Sequence, residues 1–285
     1  MKIKRSVFNS PRLLELKKHR RKVFLSKILL WLLILLVLAV ASSFLFRLEK
    51  LNIREVVVSG NKVTEGEALK NVVADITDGY YFFLFPKTSV FLYPKGQIKK
   101  ELGNQFKRLN DIKMSVGEEG VLKITLSERE ALYTWCGESV LITEVSKCYF
   151  LDSSGYVFDE APYFSGEVYF KFFGSLRGAA GPLGSYFSVN DFPSLVFLKN
   201  TLEAMELDPV SLEVSGEDIS ILLSRRNSAV GPEIILKADA DFEKVIENLD
   251  SALSTEPLLT DFKNKYSSLE YLDLRFGNKV YFKFR

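Results

Sequence analysis

Residues 28–46 have the sequence ILLWLLILLVLAVASSFLF, a run of nineteen residues without a charge. Fourteen of the nineteen are Leu, Ile, Val or Phe. A helix of this length spans roughly 28 Å, which matches the hydrocarbon core of a bilayer at about 30 Å. A buried helix of a soluble protein usually keeps a polar face, and this run has none. The sequence therefore predicts a single transmembrane helix at residues 28–46.

Basic residues dominate the segment before this run. Residues 1–27 contain ten Lys or Arg and one acid, Glu15. The whole chain has 38 basic and 36 acidic residues, so 28 basic and 35 acidic residues follow position 27. The segment before the helix thus carries +9 and the remainder −7. Because basic residues beside a membrane helix stay in the cytoplasm, we expect residues 1–27 to be a cytoplasmic tail and the chain beyond the helix to be extracytoplasmic.

Two alternatives apply to this N-terminal part. A basic tail could bind nucleic acid, but anionic lipid beside the helix already explains the charge, and we expect no nucleic-acid partner. Residues 39–41 (Ala-Val-Ala) have the small-x-small form of a signal-peptide cleavage site. Because the apolar run continues to Phe46 after a 27-residue basic segment, we favour an uncleaved anchor.

Residues 51–128 have the pattern of a small α+β domain. The β-branched segment at residues 54–59 predicts a strand that ends at a Gly-Asn turn. Thr64 and Glu67 have the spacing of a capping box, which predicts a helix from this point to about Val73.

The rest of this segment predicts a second helix and a hairpin. Residues 97–106 place apolar side chains at helical spacing, and residues 111–116 and 121–127 alternate on either side of a Gly-containing turn. The resulting order, β-α-α-β-β, favours a small sheet covered on one face by two helices. The aromatic run at residues 80–85 either packs in a core or lies on a membrane surface, and we favour the core.

Residues 129–285 predict a mixed β-sheet domain with peripheral helices, so the fold class of the chain is α+β. Strands are expected at residues 149–158 (a hairpin), 167–173, 211–214, 218–223, 233–237, 269–276 and 279–285. Helices are expected from Asp191 to Met205 and from Asp241 to about Leu253, where each Asp is a potential N-cap.

The sequence offers little catalytic chemistry. Its one His, His19, lies in the basic tail, which removes His-dependent triads and His-based metal sites from the exterior. We expect no catalytic residue, no metal and no cofactor. A glycosidase-like site remains an alternative, because the sequence contains the carboxylate pairs Glu118/Glu119, Glu128/Glu130 and Asp239/Asp241. The ordinary explanation for such pairs is that they are acidic residues on the protein surface.

Two cysteines, Cys136 and Cys148, follow the membrane helix. Each flanks a strand-like run, so the two could face one another across a hairpin. An extracytoplasmic compartment permits a disulfide, and the sequence leaves open whether one forms.

The segment at residues 279–285 predicts a strand with Val280, Phe282 and Phe284 on one face. If this strand ends the sheet, its unpaired backbone groups can accept a strand from a partner. The alternative is that these three side chains only fill the core.

Several segments together resemble one family. A strand ending in Val58-Ser59-Gly60-Asn61, followed by two helices and a hairpin, resembles a POTRA domain directly after a membrane helix. Three further segments are similar to segments of the FtsQ/DivIB family of bacterial cell division proteins. They are residues 128–135 (EREALYTW), 149–158 (YFLDSSGYVF) and 271–276 (YLDLRF). Ala131 stands near the position of a Pro in that family.

The resemblance implies a single-pass protein of the bacterial plasma membrane, at the division septum, that acts as a non-enzymatic scaffold. Its partners would be small bitopic coiled-coil proteins of the FtsB/DivIC and FtsL type and other divisome membrane proteins. Recruitment would involve Val56, Val58, Gly60 and Thr64. Partner binding would involve Tyr271, Arg275, Phe276, Lys279, Val280, Tyr281, Phe282 and Phe284. The alternative function is a membrane-anchored cell-wall glycan hydrolase or glycan-binding protein that uses carboxylates.

Overall fold

A computed structural model describes residues 11–140, 147–164, 166–187, 191–225 and 231–285, with side chains from Lys18 onward. The chain is α+β, with an apolar N-terminal helix and a large mixed sheet, as predicted. Helix α1 extends over Pro11–Phe46. Its segment Lys18–Phe46 is long and apolar enough to cross a membrane, with a mean hydropathy of 2.9 in its most apolar window, of which 6% is buried. The apolar run predicted to cross a membrane is therefore helical, and its helix begins at Pro11, within the basic segment.

The described chain forms two compact units. The first contains the residues up to Leu102 together with Asp111–Ser127, and the second contains Gly103–Asn110 and Glu128–Arg285.

A three-stranded sheet in the order β1-β5-β4 lies at the centre of the first unit. Strand β1 runs parallel to β5, with Val56 opposite Leu122 and Val58 opposite Ile124. The helices and strands after α1 are β1 (Glu55–Ser59), α2 (Gly66–Thr77), β2 (Tyr80–Tyr81), β3 (Phe85–Pro86), α3 (Lys95–Gln105), β4 (Leu109–Val116) and β5 (Val121–Glu128). Fully buried side chains recur at helical and alternate spacing: Leu69, Val73, Ile98, Leu102, Leu122 and Ile124.

Two sequence expectations need correction here. The N-cap of α2 is Glu65 rather than Thr64, and the helix continues past Val73 to Thr77. It continues because Thr77 is buried and its hydroxyl donates to the Val73 carbonyl at 2.8 Å, which keeps the inward face intact for another turn. The core packing favoured for the aromatic run is wrong for Phe82 and Phe83, which are 87% and 93% exposed.

The second unit contains a nine-stranded sheet in the order β16-β15-β14-β13-β12-β9-β6-β7-β8. Three neighbouring pairs are parallel (β14 with β15, β12 with β9, and β6 with β9), which makes the sheet mixed. Its strands are β6 (Tyr133–Trp135), β7 (Tyr149–Leu151), β8 (Val157–Glu160), β9 (Lys171–Phe173), β12 (Pro209–Ser215), β13 (Asp218–Leu223), β14 (Glu233–Lys237), β15 (Leu269–Phe276) and β16 (Lys279–Phe284). A separate short pair is formed by β10 (Leu176–Arg177) and β11 (Tyr186–Phe187).

Helices α4 (Phe192–Ala204), α5 (Phe242–Leu253) and α6 (Leu258–Lys265) complete this unit. Their apolar faces join the buried side chains of the sheet in one core, including Leu198, Leu249 and Leu258. Helix α6 is absent from the sequence prediction, and strand β6 corresponds to a strand-like run predicted beside Cys136 without bounds. The strand predicted at residues 167–173 begins only at Lys171.

A disulfide joins Cys136 to Cys148, with the Cα atoms 4.2 Å apart. The two residues lie one step beyond the last β6–β7 pair, Trp135 opposite Tyr149. The bond therefore closes the end of this strand pair.

Gly60 provides a test of the first unit. Its φ of +92° is rarely adopted by residues with a side chain, and an added Cβ would lie 1.9 Å from the Leu126 carbonyl oxygen. We expect Gly60→Ala to lower the free energy of unfolding by roughly 2–4 kcal/mol. Gly79→Ala is the matched control, since Gly79 has φ +87° but open space around its Cα, and it should cost about 1 kcal/mol. Thermal melts of the full chain in detergent measure both, and equal effects would contradict the close approach at Gly60.

Candidate functional site

Strand β16 is one of the two edge strands of the nine-stranded sheet, and β8 is the other. It pairs antiparallel with β15, from Leu269 opposite Phe284 to Phe276 opposite Lys279. Gly277, in the intervening turn, has φ +66°. Within the described part of the chain no strand lies on the other side of β16. Its outward backbone N–H and C=O groups are therefore available to a further strand.

Exposed aromatic side chains surround this edge. Phe276 is 56%, Tyr281 49% and Phe282 36% exposed. The rings of Phe276 and Tyr281 meet edge-on, with centroids 5.2 Å apart. Large aromatic rings left in water beside an unpaired strand edge are typical of a binding surface.

The face predicted for Val280, Phe282 and Phe284 is divided between two roles. Val280 and Phe284 pack against the core of the unit. Phe282 lies next to Phe284, with ring centroids 5.8 Å apart, yet more than a third of it remains exposed. The core interpretation thus applies to Val280 and Phe284 and not fully to Phe282.

Arg275 is engaged by two carboxylates of its own unit. Its Nη1 donates to Asp218 at 2.7 Å, and its Nε and Nη2 donate to the two oxygens of Asp273 at 2.9 and 2.7 Å. The Arg275 hydrogen bonds hold the pKa of Asp273 below its usual value. A partner would have to compete with both carboxylates for this guanidinium, so its first role is to connect β15 to β13.

The charged row continues across the sheet. Lys237 of β14 lies 2.8 Å from Asp218, which is its register partner on β13. The pKa of Asp218 is lowered first by the hydrogen bond from Lys237 and then by that from Arg275. Three strands near the open edge are therefore linked by alternating charges on one face.

The remaining predicted residues of this site lie on the same two strands. Tyr271 is partly buried and opposite Lys283 on β16, whose Nζ lies 2.8 Å from Glu270. Lys279 is exposed and opposite Phe276. All eight predicted partner-binding residues thus lie on the β15–β16 hairpin. Among them, the exposed aromatic residues are Phe276, Tyr281 and Phe282.

The residues predicted for recruitment lie on and after another edge strand. Val56 and Val58 are half-buried in β1, which pairs only with β5 among the described strands. Gly60 and Thr64 follow in the connection to α2.

The predicted carboxylate pair Asp239/Asp241 lines an acidic groove in the second unit, although the sequence did not indicate the other residues of the groove. A cavity of about 650 Å³ is lined by Asp191, Asp239, Asp241 and Glu243, together with Phe197 and Phe242. The starts of α4 and α5 meet here, and the two predicted N-cap residues could have indicated this. Asp241 accepts from the Lys244 backbone N–H at 3.4 Å, and Asp191 accepts from the Ser194 hydroxyl. At least these two carboxylates therefore have a structural role. Among the described residues, no group of three or more His, Cys, Asp or Glu is arranged to hold a metal.

The Arg275 bonds predict a pH-dependent contribution to stability. Because the folded-state pKa values of Asp218 and Asp273 are lowered, their contribution is complete above about pH 5 and is lost as the pH falls below about 4. Arg275→Met should lower Tm by about 2–6 °C at pH 7 and by less at pH 3, where part of the Asp218 and Asp273 ionisation is lost. Melts of the full chain at both pH values test this. Lys283→Met, which removes one exposed ion pair, is the control and should change Tm little. An Arg275 effect that is equal at both pH values would contradict the assignment.

No protein-family model matches the chain, and no curated protein matches its sequence. Its function must therefore be inferred from its own residues and their arrangement.

Proposed function

We propose that this chain is a membrane-anchored scaffold that binds a partner by strand addition at β16. The observation that carries the proposal is the open edge of β16 with three exposed aromatic side chains beside it. Added strands gain affinity from backbone hydrogen bonds and specificity from side-chain contacts. In this proposal Phe276, Tyr281 and Phe282 provide the side-chain contacts, and Arg275 fixes the strand that carries Phe276.

The proposed topology is a single-pass one, with the N-terminus in the cytoplasm and both units outside. The basic residues before the apolar run at residues 28–46 support this orientation. The Cys136–Cys148 bond also supports it, since stable disulfides are typical of oxidising, extracytoplasmic compartments. A scaffold in this position can connect proteins that are embedded in the same membrane.

The proposed biological setting is bacterial cell division, at the septum, as the resemblance to the FtsQ/DivIB family implies. The first unit has the predicted β-α-α-β-β elements with the short β2–β3 hairpin added between the two helices, an arrangement compatible with a POTRA domain at residues 51–128, followed by a partner-binding β domain at residues 129–285. The proposed partners are small bitopic coiled-coil proteins of the FtsB/DivIC and FtsL type. Recruitment to other divisome membrane proteins is assigned to β1 and the connection after it. The proposed scaffold turns over no substrate.

Photo-crosslinking in intact cells tests the β16 edge. A benzophenone amino acid at Tyr281 should crosslink to a small single-span membrane protein, because an added strand would lie within reach of this side chain. Tyr163 is the matched control, since it is an aromatic residue of the same unit with 88% exposure and lies far from β16 in the sequence. Mass spectrometry identifies the captured protein. Equal products from the two positions, or none from Tyr281, would contradict the proposal.

A second candidate function is cell-wall glycan hydrolysis or binding, which the acidic groove favours. Glycosidases place two carboxyl groups about 5–10 Å apart around the scissile bond, and aromatic walls such as Phe197 and Phe242 suit sugar rings. The structural roles of Asp191 and Asp241 leave Asp239 and Glu243 as the pair to test.

Asp239→Asn with Glu243→Gln separates the two functions. If the chain is a scaffold, this variant should retain the Tyr281 crosslink, and neither it nor the parent should release soluble fragments from purified cell wall. Chromatography of the digested wall measures the release. Fragments released by the parent and lost in the variant would establish the glycan function instead.

A further inference from the structure

A short hairpin in the first unit presents two phenyl rings to the exterior. Strands β2 and β3 pair through Tyr81 and Phe85, and the Leu84 N–H donates to the Tyr81 carbonyl at 3.0 Å to close the turn. Phe82 and Phe83 at its tip are the most exposed phenylalanines of the described chain, at 87% and 93%.

The backbone at this tip is strained. Phe82 and Phe83 have φ of 49° and 62°. Turns with two consecutive positive φ values normally contain Gly, Asn or Asp, because a side chain makes this conformation unfavourable. Strain of this kind tends to persist where the presented side chains have a function.

The hairpin is attached to the end of α1. The Ser43 hydroxyl donates to the Leu84 carbonyl at 2.6 Å, and the Phe46 and Phe85 rings meet edge-on with centroids 5.5 Å apart. Ser43 precedes the end of the apolar run by three residues, or about 4.5 Å along the helix. The contact therefore lies beside the apolar part of α1, although Ser43 itself is only 5% exposed.

Polar groups fix this arrangement just beyond the helix. The Asn52 side-chain amide donates to the Phe46 and Leu48 carbonyls, each at 2.8 Å, and its carbonyl accepts from Thr88 at 2.8 Å. The Arg47 guanidinium lies over the Tyr80 ring, 5.7 Å from its centroid. Arg and Tyr at the end of an apolar helix are typical of the headgroup region.

We infer that Phe82 and Phe83 insert into the interfacial region of the same bilayer that holds α1. The fixed hairpin brings both rings to the level at which the apolar run ends, where aromatic side chains are favoured. A lipid surface also explains why two phenyl rings are held outward in a strained turn. The inference depends on the membrane anchoring of the proposed function and on no partner.

Spin labelling of the full chain in nanodiscs of phosphatidylethanolamine and phosphatidylglycerol tests this insertion. Both native cysteines are in the disulfide, so one introduced cysteine is the only free thiol. Nitroxides at Phe82→Cys and Phe83→Cys should be more accessible to oxygen than to a water-soluble nickel complex. The two positions are tested in separate variants. If one variant fails to fold, the other still tests the insertion.

Two control positions complete the experiment. Leu36→Cys, in the middle of the apolar run, should report the hydrocarbon core. Ser59→Cys, an exposed position at the far end of β1, should favour the nickel complex. If labels at positions 82 and 83 behave like the label at Ser59 while the label at Leu36 reports lipid, the proposed insertion is wrong but the membrane anchor is supported. The two rings would then be available to a protein partner instead. If Leu36 also favours nickel, both the anchor and the insertion are wrong.

Discussion

The exposed apolar surface of α1 is the constraint on which the other features depend. Protein atoms bury only 6% of its most apolar window, and water is a poor environment for such a surface. In the proposed topology a bilayer removes this surface from water, so the folded units need not cover it. The second unit has its own core, and its sheet ends in the open strand β16.

The open strand is also protected against unselective pairing. Edge strands are liable to aggregate, and charged side chains, Lys in particular, are a common defence. Lys279 and Lys283 lie at the two ends of β16, around the exposed rings of Tyr281 and Phe282. In the proposed function, an incoming strand would have to accommodate these charges, which would favour a partner of suitable chemistry over a second copy of the same edge.

Local patterns predicted the parts of this chain that depend on nearby residues. The strands at 218–223 and 233–237 and the helix from Asp241 to Leu253 follow from periodicity and capping, and the structure has them within a residue or two. The apolar run predicted the end of α1 at Phe46 but not its start at Pro11. Strand β6 was predicted only as a strand-like run beside Cys136, without bounds, because three residues are too few to show alternation. Helix α6 was missed: it has eight residues and no side-chain N-cap, and Leu258 is its one buried residue.

Interactions between distant residues could not be predicted in the same way. Arg275 was expected among the partner-binding residues, and a pair with the nearby Asp273 was the alternative; its contact with Asp218 spans 57 positions of sequence and had no local signal. Arg129 likewise pairs with Asp152 and lies over the Tyr156 ring, with no signal in either segment alone. The edge position of β16 depends on the complete strand order of the sheet. The sequence did not predict that order, so partner binding at β16 was stated only on the condition that this strand ends the sheet.

The Asn52 amide has a mechanical consequence. It donates to the Phe46 and Leu48 carbonyls at the end of α1 and accepts from Thr88, so these bonds restrain rotation at the junction. If α1 spans a bilayer as proposed, a thinner or thicker bilayer that changes the tilt of the helix would also change the orientation of β1.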